Sequence, residues 1–331
     1  MIRLAFSAGL LFTVLGLPLA AQDFRPGPPL ICDFNQDCFI QQYVDTDPGP
    51  GAQDFMCGPL TYDGHKGTDF RLRDRQMMRE GVPVIASESG VVKGIRDGMQ
   101  DVDVSTIGGR KALNGKDCGN GVLLDHGNGW TSQYCHLRRG SVQVRKGQKV
   151  QRGQQLGLVG MSGAAQFPHV HITIRKDGEV VDPYRGIAPP LACGGRYHDL
   201  WSRDVASQFA YRPGGILTIG MHGDPDTKYD DIKEGRGNPG EIAADAPAVI
   251  AWAHVFGIRK DDILRTRITG PGGDTFYEGV SKPHPRNQAQ AWKWSGKRNR
   301  SPLKPGTYSA LIELVRNGAV YDAWQTTTTV R

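Results

Sequence analysis

Residues 121–137 read GVLLDHGNGWTSQYCHL. Apolar and polar side chains alternate on both sides of the turn HGNG at 126–129, which is the pattern of two antiparallel strands joined by a short turn. Folding the strands back on each other brings Cys118 close to Cys135. The stretch therefore predicts a β-hairpin, and we expect a Cys118–Cys135 disulfide beside it.

Short apolar runs continue on either side of the hairpin, from about Gly58 to Tyr184. They read VPVIA, GVVKGI, QKVQRGQQLGLVG and HVHITIR, and glycines separate them. Gly (44) and Pro (21) make up about a fifth of the 331 residues, which favours turns and short strands over long helices. We predict an antiparallel all-β domain, with its longest surface insertion at Asp97–Lys116.

A second strand-rich region follows Cys193. It contains AVIAWAHVFG, ILRTRITGPGG, AWKWSG and TYSALIELVRNGAVYDAWQTTTTV. Alternation and turn signals predict a smaller β-sandwich-like domain of about 115 residues. A chain of 331 residues is long enough for two domains of this kind.

The chain begins MIRLAFSAGLLFTVLGLPLAAQ, with Arg3 before an apolar run that ends near Pro18. The run is shorter than the ~20 apolar residues of a bilayer span, so a membrane anchor is disfavoured. We predict a secretory signal peptide at residues 1–21. The mature protein is then expected in the periplasm or outside the cell, with no stable membrane insertion after signal removal.

Six cysteines follow the predicted signal. An even number in an exported chain favours disulfides, and no CxxC motif indicates a zinc knuckle or a redox site. Cys32 and Cys38 can close a small loop. With Cys118 paired to Cys135, elimination leaves Cys57 and Cys193 to tie together the ends of the central region.

Two motifs carry candidate metal ligands. In GHKGTDF, His65 and Asp69 lie four positions apart, so in extended structure both side chains emerge on one face. In PHVHITIR, His169 and His171 share a face for the same reason. Either motif alone occurs without a metal, but both in one all-β domain predict a metal site. A catalytic zinc takes three protein ligands and leaves the fourth position to water.

The stretch from Gly64 to Pro183 resembles the LytM/lysostaphin-type zinc metallopeptidases. The family pattern has His-x-Gly-x-Asp, a Tyr-x-His-Leu strand, a Lys-Gly-x-x-Val-x-x-Gly stretch and a final Pro-His-x-His strand. The chain has HKGTD at 65–69, YCHL ending at 137, KGQKVQRGQQLGLVG at 146–160 and PHVHITI at 168–174, in the family's order.

The resemblance implies a zinc ion held by His65, Asp69 and His171, and two catalytic histidines that do not bind the metal, His136 and His169. Which of the two histidines accepts a proton and which stabilises or protonates the substrate stays open. The loop SGAAQFPH departs from the family's Ser-Thr-Gly before this motif, and the insertion is longer than usual. We expect both to shape the cleft. We also expect Cys135 to alternate away from His136 and to leave the site face unaffected.

The implied fold class is all-β, with an antiparallel LytM/lysostaphin-like peptidase domain followed by a β-sandwich-like accessory domain. The predicted division is a signal peptide (1–21), an extended N-terminal segment (22–57), a zinc metallopeptidase domain (58–193), a linker (194–215) and the accessory domain (216–331).

The implied function is hydrolysis of peptide bonds in peptidoglycan stem peptides or crosslinks through a zinc-activated water. Two alternatives stay open: a catalytically silent cell-wall binding module or activator of other wall hydrolases, and an exported protease that acts on Gly-rich proteins. The resemblance implies peptidoglycan as the substrate, and the net charge of +6, which is spread along the chain with no basic block, disfavours a nucleic-acid partner.

Two further features carry hypotheses. Trp252, Trp292 and Trp294 of the second domain suit a sandwich core, but beside the basic stretch WKWSGKRNRSPLKPG they also allow a wall-binding surface. Asn35 lies in the cysteine-bounded CDFNQDC, and some relatives silence the enzyme with an Asn at the open metal position.

Overall fold

A computed structural model describes residues 24–187, 193–194 and 199–331. The predicted signal peptide, residues 1–21, lies outside them. Within these ranges no helix has both the length and the hydropathy that crossing a membrane requires.

The first strand-rich region contains strands and one short helix, separated by tight turns. In chain order they are β1 (Cys38–Gln42), β2 (Thr68–Leu72), α1 (Arg75–Glu80), β3 (Pro83–Ile85), β4 (Gly90–Arg96), β5 (Asn120–Gly127), β6 (Trp130–Leu137), β7 (Lys149–Val150), β8 (Gln155–Leu158), β9 (His169–Lys176) and β10 (Glu179–Val181). Two 3-10 helices, Val104–Ile107 and Arg110–Leu113, lie in the predicted surface insertion.

Most of these strands form one antiparallel sheet in the order β1-β2-β9-β6-β5-β4-β7, and β10 pairs with β9. β3 and β8 form a separate pair. The strands that carry the two candidate ligand motifs, β2 and β9, are neighbours in the main sheet, second and third from the β1 edge. The predicted all-β antiparallel domain is therefore confirmed.

The predicted hairpin is β5 and β6. Its turn is the two-residue loop Asn128-Gly129, both in the left-handed region with φ of 49° and 76°. A turn of this kind requires positive φ at both central residues and matches the twist of the flanking strands, which is why Asn-Gly stands there. The Cys118–Cys135 disulfide is present, as predicted.

The second strand-rich region is a sandwich of two sheets. Its elements are β11 (Gly215–His222), α2 (Tyr229–Lys233), β12 (Glu241–Ile242), β13 (Ala248–Ile258), β14 (Ile263–Thr269), β15 (Thr275–Val280), β16 (Gln288–Arg298), β17 (Gly306–Arg316) and β18 (Ala319–Val330). One sheet has the order β11-β13-β16 and the other β12-β18-β17-β14-β15. Alternate residues of β17, such as Tyr308 and Ile312, are buried with Val249 and Val255 of β13 between the sheets. The predicted sandwich is confirmed.

The two regions share buried side chains. Phe39 of β1 lies 5.7 Å from Phe256 of β13 between ring centroids, and both are buried. Residues of the predicted linker also pack inward: Trp201 and Phe209 contact the ring of Phe70 in β2. The second domain is therefore joined to the first through apolar packing as well as through the chain.

The N-terminal segment is part of this packing. Phe24 stacks on Trp130 with ring centroids 4.5 Å apart, and β1 adds a strand at the edge of the main sheet. The Cys32–Cys38 and Cys57–Cys193 disulfides are present, so both remaining predicted pairings are confirmed.

Candidate metal centre

Two of the three predicted ligands face each other across neighbouring strands. Asp69 of β2 lies directly opposite His171 of β9. Directly opposed residues of an antiparallel pair project from the same face of the sheet, so their side chains meet. Asp69 Oδ1 lies 2.8 Å from His171 Nδ1.

The third predicted ligand, His65, is in the loop before β2, so strand alternation does not place it. Its backbone N–H donates to the carbonyl of Tyr62 in a turn (2.9 Å), and its Nε2 lies 3.2 Å from Asp69 Oδ1 and 3.1 Å from His171 Nδ1. The expected proximity of His65 and Asp69 is found, but the reason is the turn and not a shared strand face.

Gly67, between these two ligands, allows the close approach. A Cβ atom there would lie 2.5 Å from His171 Nε2 and 2.5 Å from the carbonyl oxygen of Ile172. Any larger residue would push the loop away from β9. The glycine of the motif HKGTD is therefore a steric requirement of bringing His65 to His171.

Hydrogen bonds on the far side of both imidazoles fix their orientation. His65 Nδ1 donates to the carbonyl of Tyr43 (2.6 Å), and His171 Nε2 lies 3.0 Å from Thr173 Oγ1. The nitrogens that point inward are therefore left for a ligand, which is the usual arrangement around a metal-binding histidine.

The donor set fits a zinc ion. His65 Nε2, Asp69 Oδ1 and His171 Nδ1 form a triangle with sides of 2.8 to 3.2 Å. Tetrahedral ligands at zinc bond lengths of about 2.0–2.1 Å are separated by about 3.3 Å, so a small outward shift accommodates the ion. Two imidazoles and one carboxylate suit zinc and leave one position open.

The other two predicted site residues lie beside this triangle. The rings of His136 and His169 have centroids 4.6 Å apart, and His136 lies 5.9 Å from the ring of His171. His136 Nδ1 donates to the carbonyl of Ser162 (2.7 Å) and His169 Nδ1 to that of Phe167 (2.8 Å). With Nδ1 protonated in this way, Nε2 of each neutral ring is left as a proton acceptor.

Burial keeps these two rings neutral. Removal from water lowers the pKa of His169 and lowers that of His136 well below its ordinary value, and for His136 the neighbouring His169 and His171 add to the effect. At neutral pH both can therefore accept a proton. Asp69 differs: burial alone would raise its pKa, but electrostatic interaction with His65 and His169 and hydrogen bonds with His171 and His65 outweigh burial and hold the pKa well below the usual range.

The expectation that Cys135 alternates away from the site is wrong. Cys135, not His136, lies directly opposite His171 in the β6–β9 ladder, so a regular pleat would place Cys135 on the site face. His136 adopts a left-handed backbone with φ of 64°, and the β5–β6 register shifts there. This bulge turns His136 towards the site, and the Cys118–Cys135 disulfide lies next to it.

Residues 63–183 match the model of Peptidase family M23. They form an M23 peptidase domain. A protein of Vibrio cholerae, "Peptidoglycan DD-endopeptidase ShyA", is 34% identical over 125 residues, which are 38% of this chain and 23% of that protein. "DD-carboxypeptidase/endopeptidase Mpg" of Neisseria meningitidis is 31% identical over 119 residues, 36% of this chain and 22% of that protein.

The chain spans less than a quarter of the length of each of these relatives. Among solved structures, "a zinc containing peptidase from vibrio cholerae" is 24% identical, with a TM-score of 0.30 over 46% of this chain and 41% of that one.

All five predicted site residues thus converge, whereas Asn35 does not join them. Its side-chain amide donates to the backbone carbonyl of Gln208 (3.2 Å), on the linker side of the fold. Two aromatic residues that were not predicted also lie beside the site. The ring of Tyr62 lies 4.5 Å from that of His65, and the ring of Phe167 lies 4.7 Å from that of His169. Neither has a residue pattern of its own that would have marked it.

The tryptophans of the second domain differ from one another. Trp252 is buried and donates its indole N–H to the carbonyl of Gly237 (2.8 Å), so it belongs to the packed structure. Trp294, directly opposite it on β16, is 56% exposed. A core position is confirmed for Trp252, while the wall-binding surface stays a hypothesis for Trp294.

Proposed function

We propose that this chain is an exported zinc metalloendopeptidase that hydrolyses peptide bonds in peptidoglycan stem peptides or crosslinks. The observation that carries the proposal is the triangle of His65 Nε2, Asp69 Oδ1 and His171 Nδ1, with two neutral histidines beside it. The substrate class is suggested by the relatives, which are peptidoglycan DD-endopeptidases and carboxypeptidases by name.

His65, Asp69 and His171 would hold the metal. Zinc bound there would supply Lewis-acid polarisation of an amide carbonyl and a water molecule with a pKa of about 7. The chain itself orients the ligands: Tyr43 and Thr173 fix the two imidazoles from behind, and the β2–β9 ladder fixes the carboxylate.

His136 and His169 would move the protons. Their Nδ1 atoms donate to backbone carbonyls, so the free Nε2 of each ring is the atom that takes a proton. One of the two accepts the proton of the attacking water. The other takes up a proton at Nε2 from solvent, and in that protonated form it stabilises the developing oxyanion or donates the proton to the leaving amine.

Export suits the covalent structure. All six cysteines are paired in disulfides, which persist in oxidising compartments. Together with the predicted signal peptide, this supports action in the periplasm or outside the cell. The working division is a peptidase domain at 58–193, followed by a linker and an accessory domain from residue 216.

The test is release of soluble muropeptides from purified sacculi, with and without a chelator, analysed by mass. We expect chelator-sensitive loss of crosslinked species, no activity in Asp69→Ala, and no activity but retained zinc in His169→Ala. Intact sacculi in the presence of zinc-loaded protein would instead favour a silent wall-binding module. Cleavage of a Gly-rich polypeptide, with no action on sacculi, would favour an exported protease.

A further inference from the structure

Arg110 comes from the surface insertion and contacts Tyr62, which lies beside the proposed metal centre. Its Nη2 donates to Tyr62 Oη (3.1 Å), and its guanidinium carbon lies 5.4 Å from the centroid of the Tyr62 ring. The Tyr62 ring in turn lies 4.5 Å from the ring of His65. Arg110, Tyr62 and the ligand His65 therefore form one stack at the edge of the site.

The insertion that carries Arg110 is anchored on both sides of the site. Asp101 accepts hydrogen bonds from the backbone N–H groups of Met161 (2.8 Å) and Arg139 (2.9 Å). Val104 donates its N–H to the carbonyl of Ala165 (2.9 Å), and the side chains of Val104 and Leu113 are buried. The position of Arg110 is thus fixed by a folded loop.

No ion pair satisfies the charge of Arg110 within the described part of the chain. Asp103, the nearest acid along the insertion, pairs instead with Arg75 (3.3 Å). The Arg110 side chain is exposed, and its guanidinium presents a planar set of donors that matches a carboxylate. An exposed arginine held at the edge of a catalytic site without a protein carboxylate is available to one from the substrate.

Tyr62 acts as the support for this arginine. The Tyr62 phenol oxygen accepts the hydrogen bond from Arg110. The guanidinium also makes a cation–π contact with the face of the Tyr62 ring.

We propose that Arg110 is a specificity determinant that binds a free carboxylate of the peptide substrate, close to the scissile amide. The inference rests on the proposed peptidase function. The stacking distances of 5.4 and 4.5 Å place the guanidinium no more than about 10 Å from the His65 ring. With consecutive Cα atoms about 3.8 Å apart, the carboxylate belongs to a residue within two or three positions of the cleaved bond.

The test compares two synthetic stem-peptide substrates that differ only in a carboxylate or a carboxamide next to the scissile bond. We expect wild-type protein to prefer the carboxylate in kcat/KM by about 10- to 100-fold, the effect of a charge-assisted hydrogen bond. Arg110→Gln removes the preference, because it raises KM for the carboxylate peptide far more than KM for the carboxamide peptide. Arg110→Lys restores part of it.

The matched control is Lys111→Gln, which removes an exposed cation from the same 3-10 helix. We expect this variant to leave kcat/KM unchanged for both peptides. Equal loss on both peptides in Arg110→Gln, or no preference in the wild type, would overturn the proposal. Zinc content and thermal midpoint, measured for each variant, show whether the site itself is intact.

Failure of the proposed function has a different signature. If zinc-loaded wild type cleaves neither peptide, the peptidase proposal fails, and Arg110 is judged by calorimetric binding of the same two peptides. A binding preference for the carboxylate that Arg110→Gln removes would still support the proposal. Equal binding of both peptides to wild type would refute it.

Discussion

Gln290 of the second domain accepts a hydrogen bond from Arg71 of the peptidase domain, with 3.0 Å between Oε1 and Nη1. Arg71 is 1% exposed, and it also bonds to Gln41 and to the carbonyl of Leu72. Its guanidinium lies 4.5 Å from the centroid of the Phe167 ring. The sandwich therefore completes the surroundings of a buried arginine next to the proposed catalytic site.

This contact extends to His169, one of the two proposed catalytic histidines. Arg71 lies directly opposite His169 in the β2–β9 ladder, and the carbonyl of Phe167 holds His169 Nδ1. Gln290 is therefore placed to position His169 through Arg71 and Phe167. The second domain therefore contributes a side chain to the surroundings of the proposed catalytic site.

The first prediction concerns Gln290. Gln290→Ala leaves a buried guanidinium donor without its partner, which costs about 1–3 kcal/mol of the free energy of unfolding. We expect kcat to fall several-fold with little change in KM, because His169 and not the substrate contacts is disturbed. Gln290→Glu keeps an acceptor and should restore kcat. A normal kcat in a folded Gln290→Ala variant would contradict the positioning role.

The second prediction concerns metal and stability. Zinc at a hundred times its Kd should raise the free energy of unfolding by about 2.7 kcal/mol, since only the folded state brings the three ligands together. Asp69→Ala should abolish this gain in a denaturant titration. His136→Ala should retain it, because His136 lies beside the triangle and not in it. Equal stabilisation of Asp69→Ala would refute the ligand assignment.

The third prediction concerns pH and His254 of β13. Burial, assisted by the charge of Arg71, lowers the pKa of His254 well below its ordinary value, and Tyr229 Oη lies 2.8 Å from its Nε2. The unfolded chain therefore takes up a proton near pH 6.5 where the folded chain does not, and stability is lost as pH falls below that value. His254→Gln should reduce this loss, measured as unfolding free energies at pH 7.5 and 5.5. An equal loss of unfolding free energy in the wild type and in His254→Gln would show that His254 is not the source of the pH dependence.

The fourth prediction concerns the disulfide beside His136. Cys118 and Cys135 are separated by 17 residues, and removing the bond should cost about 3 kcal/mol of stability through the unfolded chain's entropy. Because Cys135 precedes the bulge at His136, Cys118→Ser with Cys135→Ser should also lower kcat. The control, Cys32→Ser with Cys38→Ser, opens a six-residue loop and should cost about 2 kcal/mol without changing kcat. Equal losses of kcat in the two double variants would contradict the claim that the Cys118–Cys135 disulfide positions His136.

The sequence by itself determined the local features of this protein. The hairpin at 121–137 followed from alternation around Asn-Gly, and the Cys32–Cys38 and Cys118–Cys135 disulfides followed from local spacing, whereas Cys57–Cys193 followed only by elimination. The ligand motifs were also visible, because HKGTD and PHVH each carry their side chains within a few residues. The hairpin, the two short-range disulfides and the ligand motifs depend on residues close together in the sequence, so they can be predicted without knowledge of the fold.

Only the tertiary structure decided the rest. The left-handed bulge that turns His136 into the site depends on how β6 registers with β5 and β9. Arg110 reaches Tyr62 from 48 positions away, and Gln290 reaches Arg71 from 219 positions away. Contacts over such separations arise when whole sheets pack against each other, and no local pattern of residues encodes them.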